Sequence, residues 1–344
     1  MMYLHDKTQP IAVTVAIPTY QRSQYLLDAL QSVIGNNFPF KFEVIILDNG
    51  CDLNLQKSVE DIAQTTSVPI RYIPVKELGL HNGRNLGAIV AKGEIVVYID
   101  DDVIVPSEWL ESLCQPFNNP KVGGVGGKIL PKWEAVPPDW LKVLDPSYFS
   151  LLDLGDSDRD MTFPETPYGC NMAYRRELIL SLGGFNPDGI GGTWIEWQRG
   201  DGETGFAYKV YNEGYRIVYS ARAWLYHRIP AQRQTHEFAY RRTIKGAVSN
   251  AYFYCRQVQL SRSRLCLQAV KYILKMSLSS VKQLFKSLQS VEKRLPQELD
   301  TIYYAISALY ILRAIVDPNI RYWIAKPDYW PKQVIPEEFS GLIC

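Results

Sequence analysis

The stretch Glu94-Ile95-Val96-Val97-Tyr98-Ile99-Asp100-Asp101-Asp102 decides the fold. Ile95 to Ile99 form an apolar run too short for a stable helix, the pattern of a strand buried on both faces of a sheet. Three adjacent carboxylates at its end repel one another and need a counter-charge, for which a divalent cation is economical. Side chains alternate along extended backbone, so Asp100 and Asp102 can point to the same side. Open α/β sheets bind ligands at the carboxyl ends of their strands, where this triplet falls. The alternative is a solvated turn followed by a cap for a helix at Ser107 to Leu113.

Toward the N-terminus the chain alternates short apolar runs with amphipathic stretches, which predicts βαβ units and a mostly parallel central sheet. Ala12 to Ile17 reads as a buried strand ended by Pro18. Ser23 is positioned to cap a helix whose face carries Leu26, Leu27, Leu30, Val33 and Ile34. Glu43 to Leu47 and Ile70 to Val75 are the next strands, and Asn82 to Ala91 is a helix. On the other side, Val122 to Lys128 holds four glycines and Pro131 to Pro167 is rich in Pro, Trp, Asp and Tyr, which predicts loops over a site. Helical period returns at Arg175 to Leu182 and at Glu203 to Asn212, and helices dominate beyond Glu237. The expected organisation is an α/β catalytic domain over residues 1–240 and a helical, partly basic C-terminal extension over 241–344.

The chain has 344 residues with 37 Lys and Arg against 36 Asp and Glu, a net charge of +1. That balance argues against a generic polyanion binder, nucleic acid included, and against a disordered chain. It conceals a polarity: residues 1–227 sum to −9, residues 228–294 to +12 and residues 295–344 to −2. The six cysteines, at 51, 114, 170, 255, 266 and 344, lack metal-finger spacing and fit a reduced, cytoplasmic setting. Met1 to Pro10 has no apolar core, so no secretory signal is expected. The longest apolar helix pattern, Ile302 to Val316, carries Arg313 and reads as a buried or interfacial helix.

Two carboxylates rarely enclose Mg2+ or Mn2+ completely; such ions keep waters and take phosphate oxygens from a substrate. A nucleotide or diphosphate ligand follows. The chain has neither a P-loop nor a glycine fingerprint after its first strand.

Four motifs then stand in order: Ala16-Ile17-Pro18-Thr19-Tyr20-Gln21-Arg22, Ile46-Leu47-Asp48-Asn49-Gly50-Cys51, Gly83-Arg84-Asn85-Leu86-Gly87 and Ile99-Asp100-Asp101-Asp102. Together with Gly169-Cys170-Asn171-Met172, Gly183-Gly184-Phe185, Gly202-Glu203-Thr204 and Tyr226-His227-Arg228, this order resembles family 2 glycosyltransferases of the A-type, nucleotide-diphospho-sugar transferase fold. The likeness spans roughly residues 12–245. It implies a metal-dependent inverting transfer of a sugar from a nucleotide-diphosphate donor to a saccharide or lipid-linked acceptor, in polysaccharide or glycoconjugate synthesis.

The resemblance also assigns roles. Pro18, Thr19, Tyr20 and Arg22 lie against the donor, with Tyr20 near the base. Asp48 and Asn49 lie where relatives read uracil, which favours a UDP-sugar, although Asn49 replaces a common second acid. An Asx turn around Gly50 is the alternative for Asp48. Arg84 reaches the diphosphate or the carboxylates, and Asp100 and Asp101 border the donor. Asp100, Asp102 and His227 hold Mn2+ or Mg2+. Inverting transfer needs a general base, for which Glu203 and Asp201 compete; helix capping is the ordinary explanation of acids there. Thr204 replaces a second acid found in relatives. Gly169, Asn171, Trp194 and Trp197 are acceptor-side expectations, and Arg228 and Arg233 are expected to neutralise the leaving diphosphate.

Beyond His227, helical segments carry Leu265, Leu267, Val270, Ile273, Leu274, Leu278, Val281, Leu284, Phe285 and Leu288 with Lys271, Lys275, Lys282 and Lys286 at helical spacings beside them, which suits peripheral attachment to an anionic membrane at its cytoplasmic face. A helical appendage with a solvated basic face has the same pattern. Two rival functions also fit part of the chain. Asp100 and Asp102 have the spacing of a phosphatase whose strand-end aspartate is the nucleophile, and a non-catalytic nucleotide-sugar-binding protein would keep the fold without turnover.

Overall fold

The structure is a computed structural model that describes residues 11–187, 195–286 and 290–326. Its first half is a run of βα units: β1 (Val13–Thr19), α1 (Ser23–Ile34), β2 (Phe42–Asp48), α2 (Leu53–Ala63), β3 (Ile70–Pro74), α3 (Leu80–Val90) and β4 (Ile95–Tyr98). Then come β5 (Val103–Ile104), α4 (Trp109–Cys114), β6 (Val122–Trp133), β7 (Arg159–Asp160), β8 (Met172–Arg175), α5 (Arg176–Ser181), α6 (Gly202–Asn212) and β9 (Arg216–Ile229). Four helices close the described chain: α7 (His236–Gln257), α8 (Arg262–Lys286), α9 (Val291–Val316) and α10 (Pro318–Ala325).

One mixed sheet runs in the order β3-β2-β1-β4-β8-β6-β9-β5, with β7 also paired to β9. Strands β3, β2, β1 and β4 are parallel, as are β6 and β9, while β8 joins the two groups antiparallel. Most paired positions are therefore parallel, and the sheet core is Val, Ile and Leu with helices on its faces. Helices α7 to α10 form a separate apolar cluster around Tyr252, Leu265, Tyr310 and Ile311.

Three local expectations are corrected. The glycine-rich segment 122–128 is the start of the long strand β6, not a loop. Glycine serves close packing here: opposite Gly124 stands Tyr174 of β8, and a Cβ on Gly124 would lie 2.5 Å from its ring. Strand β1 also passes through Pro18 to Thr19 rather than ending before it. Its partner β4 stops pairing at Ala16, so Pro18 sits where β1 has an open edge on that side and no ladder bond is lost. Ser23 does not cap α1 but is its first residue; Arg22 holds the cap position without a side-chain cap bond. The Pro- and Trp-rich stretch after Trp133 is irregular with short 3-10 turns, as expected.

Candidate active site

The acidic triplet follows β4, at the carboxyl end of the parallel half of the sheet. Asp101 and Asp102 are buried, while Asp100 is partly open. Gln21 takes a left-handed conformation, φ 55°, just after β1, and Arg22 beyond it reaches back to the triplet. Its guanidinium bonds Asp101 at 3.0 Å and Asp102 at 2.7 Å. Thr19 Oγ1 donates to Asp101 at 2.7 Å. Burial pushes the Asp101 carboxyl up to about 6 against the pull of Arg22, with Asp102 adding to the rise.

Strand β9 brings His227 to Asp102, because Val103 pairs with His227 across β5 and β9. His227 Nδ1 lies 2.8 Å from the carbonyl oxygen of Phe149. A carbonyl only accepts, so Nδ1 carries the ring proton and the Nε2 lone pair turns the other way. Nε2 stands 3.3 Å from Asp102 Oδ1. That oxygen is buried and accepts no hydrogen bond from the described residues. Arg233 closes the group, donating to Nε2 at 3.0 Å and to Asp102 Oδ2 at 2.9 Å. Although burial opposes it, the Asp102 carboxyl is held well below the usual carboxylate range by the positive charge around it, from the imidazolium form of His227 and from Arg233 and Arg22.

This pair suits a small divalent cation. An imidazole whose far nitrogen is fixed on a backbone carbonyl is the usual orientation of a metal-binding histidine. Neighbouring ligands of an octahedral Mg2+ or Mn2+ lie about 3 Å apart, close to the Nε2 to Oδ1 separation. The third expected ligand is elsewhere: Asp100 Oδ1 accepts from Arg84 at 2.9 Å. Among the described residues, no three His, Cys, Asp or Glu side chains form a ready metal cluster.

Arg84 links the triplet to the second acidic centre. It is fully buried on α3 and binds both Asp100 and, at 2.5 Å, Glu203 Oε1 at the start of α6. His81, one turn earlier on α3, stacks on Phe185 at 5.6 Å between centroids and places Nε2 3.6 Å from Glu203 Oε2. The Glu203 side chain keeps 30% of its surface exposed. Burial disfavours its charge, but Arg84 and His81 outweigh that and pull its carboxyl down to about 2. Gly169 is needed beside it, since a Cβ there would fall on the Arg84 guanidinium and the Glu203 carboxylate.

Other expected residues have different surroundings. Asp201 is buried and accepts from Asn186 Nδ2 at 2.6 Å, folded over Gly205 of α6, away from the Arg84 centre. Asp48 is fully buried and accepts from Gly50 N at 2.6 Å, Asp52 N at 2.8 Å and Tyr72 Oη at 2.6 Å, which is the Asx turn. Asn49 donates to the carbonyls of Val75 and Glu77, leaving its oxygen turned the other way. Tyr20 is half exposed, and Pro18 packs near Gly83.

Asn171, expected to meet the acceptor, is a buried tie: Nδ2 donates to Lys128 O and Ala223 O, and Oδ1 accepts from Trp109 Nε1. Arg228, expected at the diphosphate, is on the opposite pleat of β9 to His227. It bonds Asp28 at 2.6 Å and Glu134 at 2.8 Å and covers the Tyr25 ring. Trp197 stacks against Tyr310 and beneath Arg313, within the helical packing. Trp194 lies outside the described residues. His81 escaped the sequence reading; its signal was the i, i+3 spacing to Arg84 on one helix face.

Residues 14–183 match the family described as Glycosyl transferase family 2. The glucosyl-dolichyl phosphate glucuronosyltransferase of Haloferax volcanii is 25% identical over 230 residues, covering 63% of this chain and 69% of that protein. Succinoglycan biosynthesis protein ExoM of Rhizobium meliloti is 23% identical over 227 residues, covering 65% and 69%. A mannosyltransferase from Pyrobaculum calidifontis, solved with GDP-Man and Mn2+, shares the fold at a TM-score of 0.58 and 19% identity, over 90% of this chain and 89% of that one. The motif order, the mixed sheet with acids at the end of β4 and the match over residues 14–183 agree: the chain carries a glycosyl transferase family 2 domain over those residues and is a glycosyltransferase.

Proposed function

We propose that the enzyme moves a sugar, with inversion, from a nucleotide-diphosphate donor to a hydroxyl of a saccharide or lipid-linked acceptor in glycoconjugate or polysaccharide synthesis. The observation that carries this is Arg84, which joins Asp100, two residues from the Asp102–His227 pair, to Glu203. The relatives support the substrate class, since one is named for a glucosyl-dolichyl phosphate, one for succinoglycan, and one was solved with GDP-Man.

In this reading Tyr20, with its ring half exposed beside the end of β1, meets the base, and the Asn49 oxygen is the free acceptor near it. Asp102 and His227 would hold Mn2+ or Mg2+, with Asp100 and Asp101 alongside. When bound, that ion supplies positive charge to the departing diphosphate. Arg233 and Arg22 supply fixed positive charge at the same place. Glu203 takes the proton of the acceptor hydroxyl as the new bond to the anomeric carbon forms and the bond to the diphosphate oxygen breaks. Asp201, buried on Asn186, is left with a structural task.

The same reading seats the enzyme on an anionic membrane surface. Leu267, Val270, Leu274, Leu278 and Val281 form one stripe on α8, each at least half exposed. Arg264, Lys271, Lys275 and Lys282 follow one border of it, and the opposite face packs on α9 through Leu265, Ala269 and Ser279. Among the described residues α9 is the one helix long and apolar enough to cross a membrane, and a third of it is buried in the helical cluster.

The test is transfer from UDP- and GDP-sugars, with and without Mn2+ or Mg2+, in wild type, Asp102→Ala and Glu203→Ala. Loss of transfer in both variants and dependence on the ion are expected. Undiminished transfer in both would sink the assignment of roles.

A further inference from the structure

The outer pleat of β9 carries a second feature that the catalytic reading does not use. His227 faces Asp102, so its neighbours Trp224 and Tyr226 point to the other side of the strand. There they line an open groove of about 720 Å3 between α4 and the β6–β9 pair, large enough for several sugar units. None of the acidic triplet, Glu203 or His227 borders it. The Trp224 and Tyr226 rings stand 5.2 Å apart and nearly perpendicular, and Tyr226 is 39% exposed. Neither ring belongs to an apolar core cluster, and their open parts present apolar faces to whatever enters.

The polar groups of the groove select the occupant. Of its two cations, Lys128 is neutralised by Asp153 at 3.1 Å and Asp156 at 2.6 Å, and Arg222 donates through Nη2 to the neutral amide of Gln115 at 2.8 Å. Glu108 and Glu111, on the α4 side, are exposed, and their carboxylates have no hydrogen-bond or ion-pair partner among the described residues. A phosphate or uronate would meet the carboxylates of Glu108, Glu111 and Asp156 against Arg222 as the one lining cation not paired with an acid, an unfavourable balance for an anion. A neutral saccharide fits both halves: its hydroxyls donate to Glu108 and Glu111, and its C–H faces lie on Trp224 and Tyr226.

We infer that this groove is an exosite for a neutral saccharide chain, holding the distal part of the acceptor or product while its end reacts at Glu203. The inference rests on the proposed saccharide acceptor, but its site is separate from the donor chemistry. A chain bound on one pleat of β9 and reacting on the other needs several units, so short acceptors are insensitive to the groove and long ones depend on it.

The experiment uses the full chain with cellohexaose, maltohexaose and mannohexaose, followed by saturation-transfer NMR and calorimetry. Chondroitin hexasaccharide serves as the anionic control. At least one neutral hexasaccharide is expected to bind. Trp224→Ala and Tyr226→Ala should each weaken it about tenfold, a change of about 1.4 kcal/mol, and Glu111→Gln should weaken it less. Donor hydrolysis with Mn2+ and the melting temperature should stay at wild-type values in Tyr226→Ala, which guards against a folding artefact. Absence of binding by all three neutral probes overturns the exosite, as does equal binding by both aromatic variants or preference for the anionic control. So does self-association that Tyr226→Ala abolishes, because the groove would then seat a second copy. If wild-type donor hydrolysis is missing while a hexasaccharide binds, the catalytic reading fails and the groove stands.

Discussion

Glu203 and Asp201 are two residues apart, yet α6 turns them to opposite surroundings. Glu203 meets Arg84 and His81 at the site, and Asp201 faces Asn186 behind it. Glu203→Gln should therefore keep the fold and lower kcat by about 10² to 10⁴. Asp201→Asn should lower the melting temperature, because a buried bond to a charged acceptor contributes about 1.5–3 kcal/mol, while kcat changes little. The reverse pattern would exchange the two roles. The Arg84 pairing also has a pH signature. The Glu203 carboxyl is lowered from 4.5 to about 2, so the stability it contributes is complete above the unfolded value and fades as pH falls toward the folded one. The gap in melting temperature between wild type and Glu203→Gln should narrow between pH 5 and pH 3; a gap that widens on acidification rules out the ion pair as its source. Sequence alone left Glu203 and Asp201 open, since acids at a helix start have the same pattern whether they cap, pair or react. The distinction arises from Arg84, more than a hundred residues away, and no local spacing encodes that.

At the scale of elements, the βα units were legible because their apolar periods are set by local geometry, and each expected strand before Asp100 is present within two residues. Strand β6 was not, because its glycines answer to Tyr174 and Pro167, neighbours only in the folded sheet. Asn171 shows the same limit. Its place in a family motif suggested a ligand contact, but it joins β6, β9 and α4 through three buried bonds. Asn171→Ala should leave two carbonyls and an indole N–H unpaired and lower unfolding stability by about 3 kcal/mol or more, read by denaturant titration. A neutral result would return Asn171 to the acceptor side. Helix α8 carries the other prediction at this scale. Leu274→Glu with Leu278→Glu places charge in the middle of its exposed stripe. Binding to vesicles of phosphatidylcholine and phosphatidylglycerol should fall at least about tenfold, since each buried leucine contributes about 1.5–3 kcal/mol when fully covered. Both positions are open to solvent, so the melting temperature should not fall. Wild-type binding should also weaken with salt if, as proposed, Lys271, Lys275 and Lys282 face the anionic lipid. Loss of fold in the double variant would mean that the stripe is covered by protein instead.

The whole molecule divides its charge along the chain. The portion up to His227 has a net charge of −9, and the 67 residues after it have +12. An anionic donor approaching the end of β4 meets Asp100, Asp101 and Asp102 before any cation that is not already paired with them, since Arg22 and Arg233 are bound to those acids. A divalent ion between Asp102 and His227 would reverse the local sign, so under the proposed function nucleotide binding and metal binding should be linked. UDP or GDP at about 100 times its dissociation constant should stabilise the fold by about 2.7 kcal/mol, a rise in melting temperature of several degrees, when Mn2+ is present. The rise should largely vanish with EDTA. In His227→Ala it should need much more Mn2+, because the remaining ligand set is poorer and its orienting imidazole is gone. Comparing the two nucleotides in the same titration names the base, which Asn49 leaves undecided by replacing an acid with an amide. Equal stabilisation with Mn2+ and with EDTA would mean that Arg22 and Arg233 carry the diphosphate alone, and the arginines would then replace the metal in the mechanism.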